Sequence, residues 1–290
     1  MAEPFPKLFD TRSMRIFIDN NFEWVVENWG EQLEIAFLPV LHLLVAIENL
    51  FIWLPWYVII AVIVGIAFIA TRDWKVTAGI GALTFFIGAL GIWEPAMKTM
   101  ALMLTSTLLA VAGGIPLGIT MARSDRFQAL MLPILDIMQT MPIFVYLIPF
   151  VMLFGPGKIP ALLATIVFAV PPVIRLTSLG IRNVDSEVVE AYTSFGATKR
   201  QLLFSVQFPL ALPTIMAGIN QTTMMALSMV VIASMIGAGG LGYQVLQGIQ
   251  RLEMSRGLLA GLGIVFLAVI FDRIAQAYGR KMQQHLHLES

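Results

Sequence analysis

The chain has 290 residues, of which 58% are hydrophobic and only 12% are charged, and its mean hydropathy is +0.83. Soluble domains are about 25% charged, so this composition predicts an all-α integral membrane protein. Lysine plus arginine equals aspartate plus glutamate at 18 each, and no basic cluster stands out, so nothing indicates nucleic-acid binding. The sequence contains no cysteine, which excludes disulfides, zinc–thiolate sites and a cysteine nucleophile.

The first 54 residues are predicted to form an acidic N-terminal tail and an amphipathic edge helix. They show no secretory signal pattern, so the apolar spans are expected to act as their own insertion signals. Residues 33–53 are long enough to cross a membrane, yet four polar side chains share one arc of about 120° on that helix. They are Glu34, His42, Glu48 and Asn49. Such a stripe suits a helix lying in the membrane interface or one packed at the edge of a bundle. Because two carboxylates disfavour a span, the interface position is preferred.

Seven apolar stretches are predicted to cross the membrane, each near the ~20 residues that a ~30 Å hydrocarbon core requires. They are residues 55–70, 74–93, 97–122, 127–154, 159–178, 214–236 and 258–278. The first two form a peripheral pair within residues 55–94, and the rest belong to a core domain at residues 95–278. Residues 279–290 follow as a tail. Prolines are expected to kink the fourth and fifth spans, at Pro133, Pro142, Pro149, Pro171 and Pro172.

The charges flanking these stretches predict the orientation of the chain. Lysine and arginine are more numerous on the side that holds residues 183–213 and the C-terminus, and the positive-inside rule makes that side cytoplasmic. With seven spans, the N-terminus then lies outside and the C-terminus in the cytoplasm.

The polar interval at residues 183–213 is predicted to form two short helices joined at a glycine. Asp185 is a helix cap, and the apolar stripe that follows it ends at Phe195, just before Gly196, which suits a left-handed C-terminal cap. Thr198 and Gln201 have the spacing of a capping box that opens the second helix. Pro209 is expected to end that helix at Phe208.

Local rules leave the purpose of this interval open. One interpretation is a docking surface for a separate soluble subunit that supplies energy. A helical hairpin packed on its own bundle would give the same pattern.

Several residues of the interval resemble the "EAA" signature of importer-type ABC transporter permeases. They are Glu190-Ala191, Gly196-Ala197, Phe208-Pro209 and Pro213. Tyr192 stands where the signature usually has a second alanine. Longer blocks, at residues 133–142, 144–147, 171–176 and 213–242, resemble the glycine betaine/proline branch of that family, and the likeness covers roughly residues 95–280.

The resemblance implies a type I ABC importer transmembrane domain in a bacterial inner membrane. Its partners would be a second copy of the chain, two separate ATPase subunits, an extracytoplasmic substrate-binding protein and membrane lipid. The implied cargo is glycine betaine, proline betaine or a related quaternary amine, with choline or carnitine as the alternative main cargo.

The resemblance also implies which residues couple the chain to the ATPase. They are Glu190, Ala191, Tyr192, Gly196, Ala197, Thr198, Lys199, Arg200, Leu202 and Leu203. Glu190, Lys199 and Arg200 would make polar contacts, whereas Leu202 and Leu203 would be the apolar ridge buried against the partner.

A second set of residues is predicted to line or gate the pathway. They are Asp136, Gln139, Pro142, Tyr146, Asn220 and Thr223. An intramembrane carboxylate such as Asp136 is a functional-site hypothesis by default, and the expected role is gating or dimer packing rather than substrate coordination. The alternative is a structural hydrogen bond to Gln139 or a neighbouring helix. Aromatic faces near Tyr146 attract quaternary ammonium groups, although aromatic residues in spans usually only pack.

The sequence predicts no catalytic, cofactor-binding or metal site. No Gly-x-x-x-x-Gly-Lys-Ser/Thr motif is present, so ATP hydrolysis is assigned to a separate subunit and the chain is not itself an enzyme. The histidines, at 42, 285 and 287, are too scattered to build a metal or catalytic site. The alternative class is an ATP-independent secondary transporter, which would need inverted repeats and ion-binding groups at the midplane.

Overall fold

A computed structural model describes the backbone of residues 11–288 and the side chains of residues 12–279. The predictions for residues 1–10 and for the side chains of His285 and His287 lie outside these ranges. The described backbone is helical with no strand. Its α-helices are α1 (Thr11–Trp53), α2 (Trp56–Thr71), α3 (Trp74–Ala89), α4 (Trp93–Arg123), α5 (Asp125–Thr140), α6 (Ile143–Phe154), α7 (Lys158–Ala169), α8 (Pro171–Arg182), α9 (Ser186–Ser194), α10 (Lys199–Leu202), α11 (Phe208–Ala233), α12 (Leu241–Gln250) and α13 (Met254–Leu288). Two π-helical turns, Leu203–Gln207 and Ser234–Ala238, flank α11.

Five stretches of the described chain are long and apolar enough to cross a membrane. They are Arg12–Trp53, Trp93–Arg123, Lys158–Arg182, Lys199–Ala238 and Met254–Gly279, and α5 with α6 makes a sixth if the pair is one broken span. Helices α2 and α3 have 16 residues each, about 24 Å of helix. Helix α2 is as long as the stretch predicted at residues 55–70, whereas α3 is shorter than the one predicted at residues 74–93.

The fourth predicted span is divided by one proline. Helices α5 and α6 meet at 96°, and the break is at Met141 and Pro142, both of which have extended backbone. Proline disfavours helix at the residue before it, which accounts for the break. The predicted kink sites Pro133 and Pro149 lie inside α5 and α6 and end neither helix. At Pro171, by contrast, Val170 keeps helical backbone, so α7 continues into α8 as one span.

The N-terminal region differs from the predicted tail and separate edge helix, because residues 11–53 form one continuous helix, α1. Its last part packs on the bundle, where Leu44 is buried. The polar stripe does not face solvent as a unit: Glu48 is buried and pairs with Lys158 at 2.7 Å, whereas His42 and Asn49 are exposed. The polar stripe allowed a helix in the membrane interface or one packed at the edge of a bundle. The second position accounts for this ion pair.

Glycines allow the central helices to approach closely. Helices α4 and α8 touch at Gly118, where an added Cβ would lie 2.6 Å from Thr177 Cβ and 2.7 Å from the Ile174 carbonyl oxygen. Helices α8 and α11 touch at Gly180 and Gly218 in the same way. Small residues at such contacts are how helices pack where lipid removes the hydrophobic driving force.

We expect Gly118→Leu to lower the unfolding temperature of the purified protein, because the side chain would force α4 from α8 at a cost of roughly 1–3 kcal/mol. Intrinsic-fluorescence melting in detergent measures this. The matched control is Gly113→Leu on the same helix, where a Cβ meets nothing within 4 Å. Equal melting temperatures for the two variants would contradict the close contact.

Candidate functional site

The first helix of the polar interval, α9, is built by the local signals that predicted it. The Asp185 carboxylate caps it by accepting a hydrogen bond from the Glu187 amide at 2.8 Å. At its other end, Gly196 has φ of +82°, the left-handed conformation that favours glycine. The amides of Gly196 and Ala197 donate to the carbonyls of Thr193 and Tyr192, at 2.9 and 3.2 Å. This is a Schellman cap, which satisfies the last carbonyls of the helix.

The capping box that opens α10 is also confirmed. Thr198 Oγ1 accepts from the Gln201 amide at 3.3 Å, and Gln201 Oε1 accepts from the Thr198 amide at 2.9 Å. Two capped helix ends therefore meet at Gly196 and Ala197 and fix the angle between α9 and α10. The turn is held by backbone hydrogen bonds and needs no support from the rest of the bundle.

The α9–α10 surface, which we define as the exposed and half-buried residues within 186–204, projects from the bundle. No side chain of α9 is buried. Among the predicted coupling residues, Glu190, Ala191, Tyr192, Gly196, Thr198, Lys199 and Arg200 are exposed, and Ala197 and Leu202 are half-buried. Phe195 is 92% exposed, Tyr192 45% and Phe204 57%. Three aromatic side chains are therefore exposed within residues 192–204.

Leu203 does not belong to that surface. It is 2% exposed and packs with Ile181, Ala211 and Ile215 in the core of its own chain, so the assignment of Leu203 to a ridge for the partner is wrong. The sequence pattern missed Phe204 instead, because Phe204 falls outside the apolar stripe of the second helix.

The expected end of the second helix at Phe208 is also wrong. The chain stays helical from Lys199 to Ala238. In the π turn Leu203–Gln207 the Phe208 amide donates to the Leu203 carbonyl, five residues back. This wider turn accommodates Pro209, which stands in the first turn of α11, where a missing amide is tolerated. The α9–α10 surface is therefore joined to α11 without a loop.

Asp136 has a charged partner on another helix. Arg175 Nη2 of α8 lies 2.6 Å from Asp136 Oδ1 of α5, so of the two structural alternatives the neighbouring helix is correct and Gln139 is not the partner. The sequence carried a signal for this contact, since Arg175 lies inside the predicted fifth span. A second pair, Arg182 Nη1 to Asp125 Oδ1 at 2.7 Å, joins the same helices at their ends.

Tyr146 is buried and its hydroxyl donates to the Met138 carbonyl oxygen across the α5–α6 break. Met138 is among the last residues of α5, whose carbonyls lack partners within the helix. The ring also meets Phe168 of α7 edge-to-face at 5.6 Å. Tyr146 therefore ties three helices together and offers no free aromatic face, whereas Gln139 and Pro142 beside it are exposed.

Asn220 and Thr223 face a different region. Thr223 lines an apolar cavity of about 570 Å³ between the peripheral helices and α4, α11 and α13, and its hydroxyl donates to the Ile219 carbonyl at 2.8 Å. Asn220 borders a smaller cavity of about 210 Å³ beside Gln276 of α13, and its buried side-chain oxygen has no partner among the described residues. Asp136, Gln139, Pro142 and Tyr146 follow one another along α5, the junction and α6, whereas Asn220 and Thr223 lie apart from them on α11.

Comparison with known proteins gives a consistent result. Residues 114–284 match the family described as binding-protein-dependent transport system inner membrane component. The chain is 49% identical over 269 residues to the glycine betaine/proline betaine transport system permease protein ProW of Escherichia coli, covering 91% of this chain and 74% of that protein. It is 44% identical to the glycine betaine/carnitine transport permease protein GbuB of Listeria monocytogenes, covering 86% of this chain and 91% of that protein.

A solved structure shares the fold. A chain of the MetNI methionine ABC transporter in an inward-facing conformation superposes with a TM-score of 0.58 at 20% identity, and the match covers 64% of this chain and 93% of that one.

We expect Tyr146→Phe to lower the unfolding temperature, because the ring contact with Phe168 would remain while the Met138 carbonyl lost its donor, at about 1–3 kcal/mol. Thermal melting in detergent measures the loss. Tyr57→Phe is the control, since Tyr57 is exposed and has an edge-to-face contact of its own with Trp56. A Tyr146 variant as stable as the Tyr57 variant would contradict the cap.

Proposed function

This chain belongs to the family of binding-protein-dependent transport system inner membrane components, and from that premise we propose that it is the permease subunit through which an ATP-driven importer moves glycine betaine or proline betaine. Permeases of this family are not enzymes, and a separate subunit hydrolyses ATP. The observation that carries the cargo is the identity of 49% and 44%, over most of the chain, to permeases named for glycine betaine.

The α9–α10 surface is the contact for the ATPase. Phe195 and Tyr192 supply exposed aromatic anchors, the residue type that dominates interface energetics. Glu190, Lys199 and Arg200 surround them with charge, which gives a polar rim. Caps at both helix ends hold the anchors in place before binding, so less entropy is lost on docking.

The α9–α10 surface and the C-terminus lie in the cytoplasm, and the N-terminus lies outside. The excess of lysine and arginine on the α9–α10 side supports this orientation. The contacts of α1 support it as well. Phe37 meets Phe154 with ring centroids 5.8 Å apart, and Glu48 pairs with Lys158. Phe37 and Glu48, eleven residues apart on α1, thus both contact the residues that flank the turn between α6 and α7. A helix crossing that end of the bundle leaves its N-terminus on the outer side.

Two copies of the chain enclose the pathway. The Asp136 side chain is 63% exposed in the single chain, although it lies about 16 Å from the start of α5. A charged group is costly in lipid, so this face of α5 is better suited to a second protomer or to water between protomers.

The cargo is tested by uptake of labelled glycine betaine in a bacterial host that lacks its own betaine importers. The chain is produced together with its binding protein, in one sample with the ATPase and in another without it. ATP-dependent uptake is the expected result. Choline or carnitine taken up in preference would move the assignment to the alternative cargo, and uptake without the ATPase would favour a secondary transporter.

Phe195→Asp should reduce co-purification of the ATPase by at least about tenfold while leaving the chain in the membrane, because it places an unpaired charge at the centre of the contact. Quantitative pull-down measures it. Leu252→Asp is the matched control, since Leu252 is 91% exposed on the turn between α12 and α13. Undiminished binding of the Phe195 variant would overturn the docking surface.

The orientation is measured with single cysteines, which the cysteine-free chain permits. An impermeant maleimide should label Ser13→Cys and Leu252→Cys in intact spheroplasts, and Ser194→Cys only after permeabilisation. Labelling of Ser194→Cys in intact cells would reverse the orientation. Protection of Ser13→Cys alone would show that α1 crosses the membrane.

A further inference from the structure

The ion pair between Asp136 and Arg175 stands near the break in the span made by α5 and α6. Asp136 precedes the α5–α6 break at Met141 and Pro142, and Arg175 follows the boundary between α7 and α8 at Val170. Interrupted helices near the membrane midplane are where transporters place substrate-binding groups, because helix ends and freed carbonyls are tolerated only where protein or water lines a cavity.

The pair is not saturated. The guanidinium of Arg175 has five N–H donors, and its one recorded contact is from Nη2 to a single oxygen of Asp136. Its Nε atom is buried and has no partner among the described residues, which is also true of Arg182 Nε. Arg–carboxylate pairs frequently engage two donors side by side. Here donors on Arg175 and the second oxygen of Asp136 are left over.

The same two helices carry a pair of the same chemistry for comparison. Asp125 and Asp136 are 11 residues apart and share one face of α5, and Arg175 and Arg182 are seven apart and share one face of α8. Arg182, however, also donates to the Met121 carbonyl oxygen at 3.1 Å, and Asp125 and Arg182 are the terminal residues of their helices. The Asp125–Arg182 pair is fixed at the ends of its two helices. The Asp136–Arg175 pair lies further along both helices, at membrane depth, and is exposed.

We propose that Asp136 and Arg175 form a substrate site within the permease, at which the carboxylate of a zwitterionic quaternary amine binds Arg175 and its ammonium group lies against Asp136. The site rests on the proposed function, because that function supplies a cargo with both charges. A zwitterion replaces both partners of the ion pair at once, so neither charge is left uncompensated as the pair opens. A cation without a carboxylate would leave the charge of Arg175 unpaired inside an apolar span, which is costly.

The site is expected to bind weakly. A passage must accept its cargo and also release it, and here the side chains close on each other again when the cargo leaves. A site whose two charged side chains pair with each other when it is empty distinguishes a zwitterion from a cation without a carboxylate by charge alone. It needs no aromatic side chains around the ammonium group.

The test uses the intact permease–ATPase complex in nanodiscs without the binding protein, and labelled glycine betaine as the probe. Wild type should bind the probe, and Asp136→Asn and Arg175→Gln should each weaken binding by at least about tenfold, since each removes a charge-assisted contact. Asp125→Asn is the matched control and should bind as wild type does. Choline should compete poorly with the probe.

A second measurement separates a substrate site from a lock between α5 and α8. The double variant Asp136→Asn, Arg175→Gln removes both charges, so a purely structural pair would regain stability and transport in it, whereas a substrate site would stay defective. ATP hydrolysis and thermal melting report assembly of each variant. Wild-type affinity in the single variants, or restored uptake in the double variant, would overturn the proposal. If wild-type cells take up no glycine betaine, the proposed function fails instead.

Discussion

Charged side chains in this molecule are governed by the bilayer, which offers them no hydrogen-bond partner of its own. The chain has few charges, and two of the ion pairs within its described apolar helices join different helices. Glu48 of α1 pairs with Lys158 of α7, and Asp136 of α5 pairs with Arg175 of α8. Each pair joins a helix at the periphery of the bundle to one nearer its centre. Ion pairs thus position the elements that apolar packing alone would leave free to slide, because lipid and leucine are equally apolar.

The α9–α10 surface follows the opposite rule, since it is shaped by short-range hydrogen bonds in water. Asp185, the Schellman cap at Gly196 and the capping box of Thr198 and Gln201 satisfy the helix ends within about 17 residues of sequence. No burial is required, and no side chain of α9 is buried. A surface stabilised in this way keeps its shape while its aromatic residues stay available to a partner.

This contrast explains which features the sequence could predict. Caps and hinge residues were predictable because all their partners lie within a few positions along the chain. The burial of Leu203 was not, because it depends on Ala211 and Ile215 one helix further on. The helix that continues through Pro209 depends on a π turn that no local propensity signals. The break at Pro142, but not at Pro133 or Pro149, reflects how neighbouring helices hold α5 and α6, and α1 is continuous where polarity suggested a boundary. The partner of Asp136 lies 39 residues away in the chain and needed the fold to find it.

The two regions are mechanically continuous. The α9–α10 surface runs through the π turn into α11 without a loop, so a displacement at Phe195 is carried into a membrane span. Helix α11 is packed on α8 at Gly180 and Gly218, where an added Cβ would come within 3.0 Å of Thr214 and of Leu176 respectively. Contacts this close do not slide independently, so α8 moves with α11. Arg175 is on α8, whereas Asp136 is on α5, which is broken from α6 and meets α8 mainly through Leu135 and Ile174. Under the proposed function, a pull by the ATPase on the α9–α10 surface would act on Arg175 more directly than on Asp136, and this asymmetry would allow docking to open the pair.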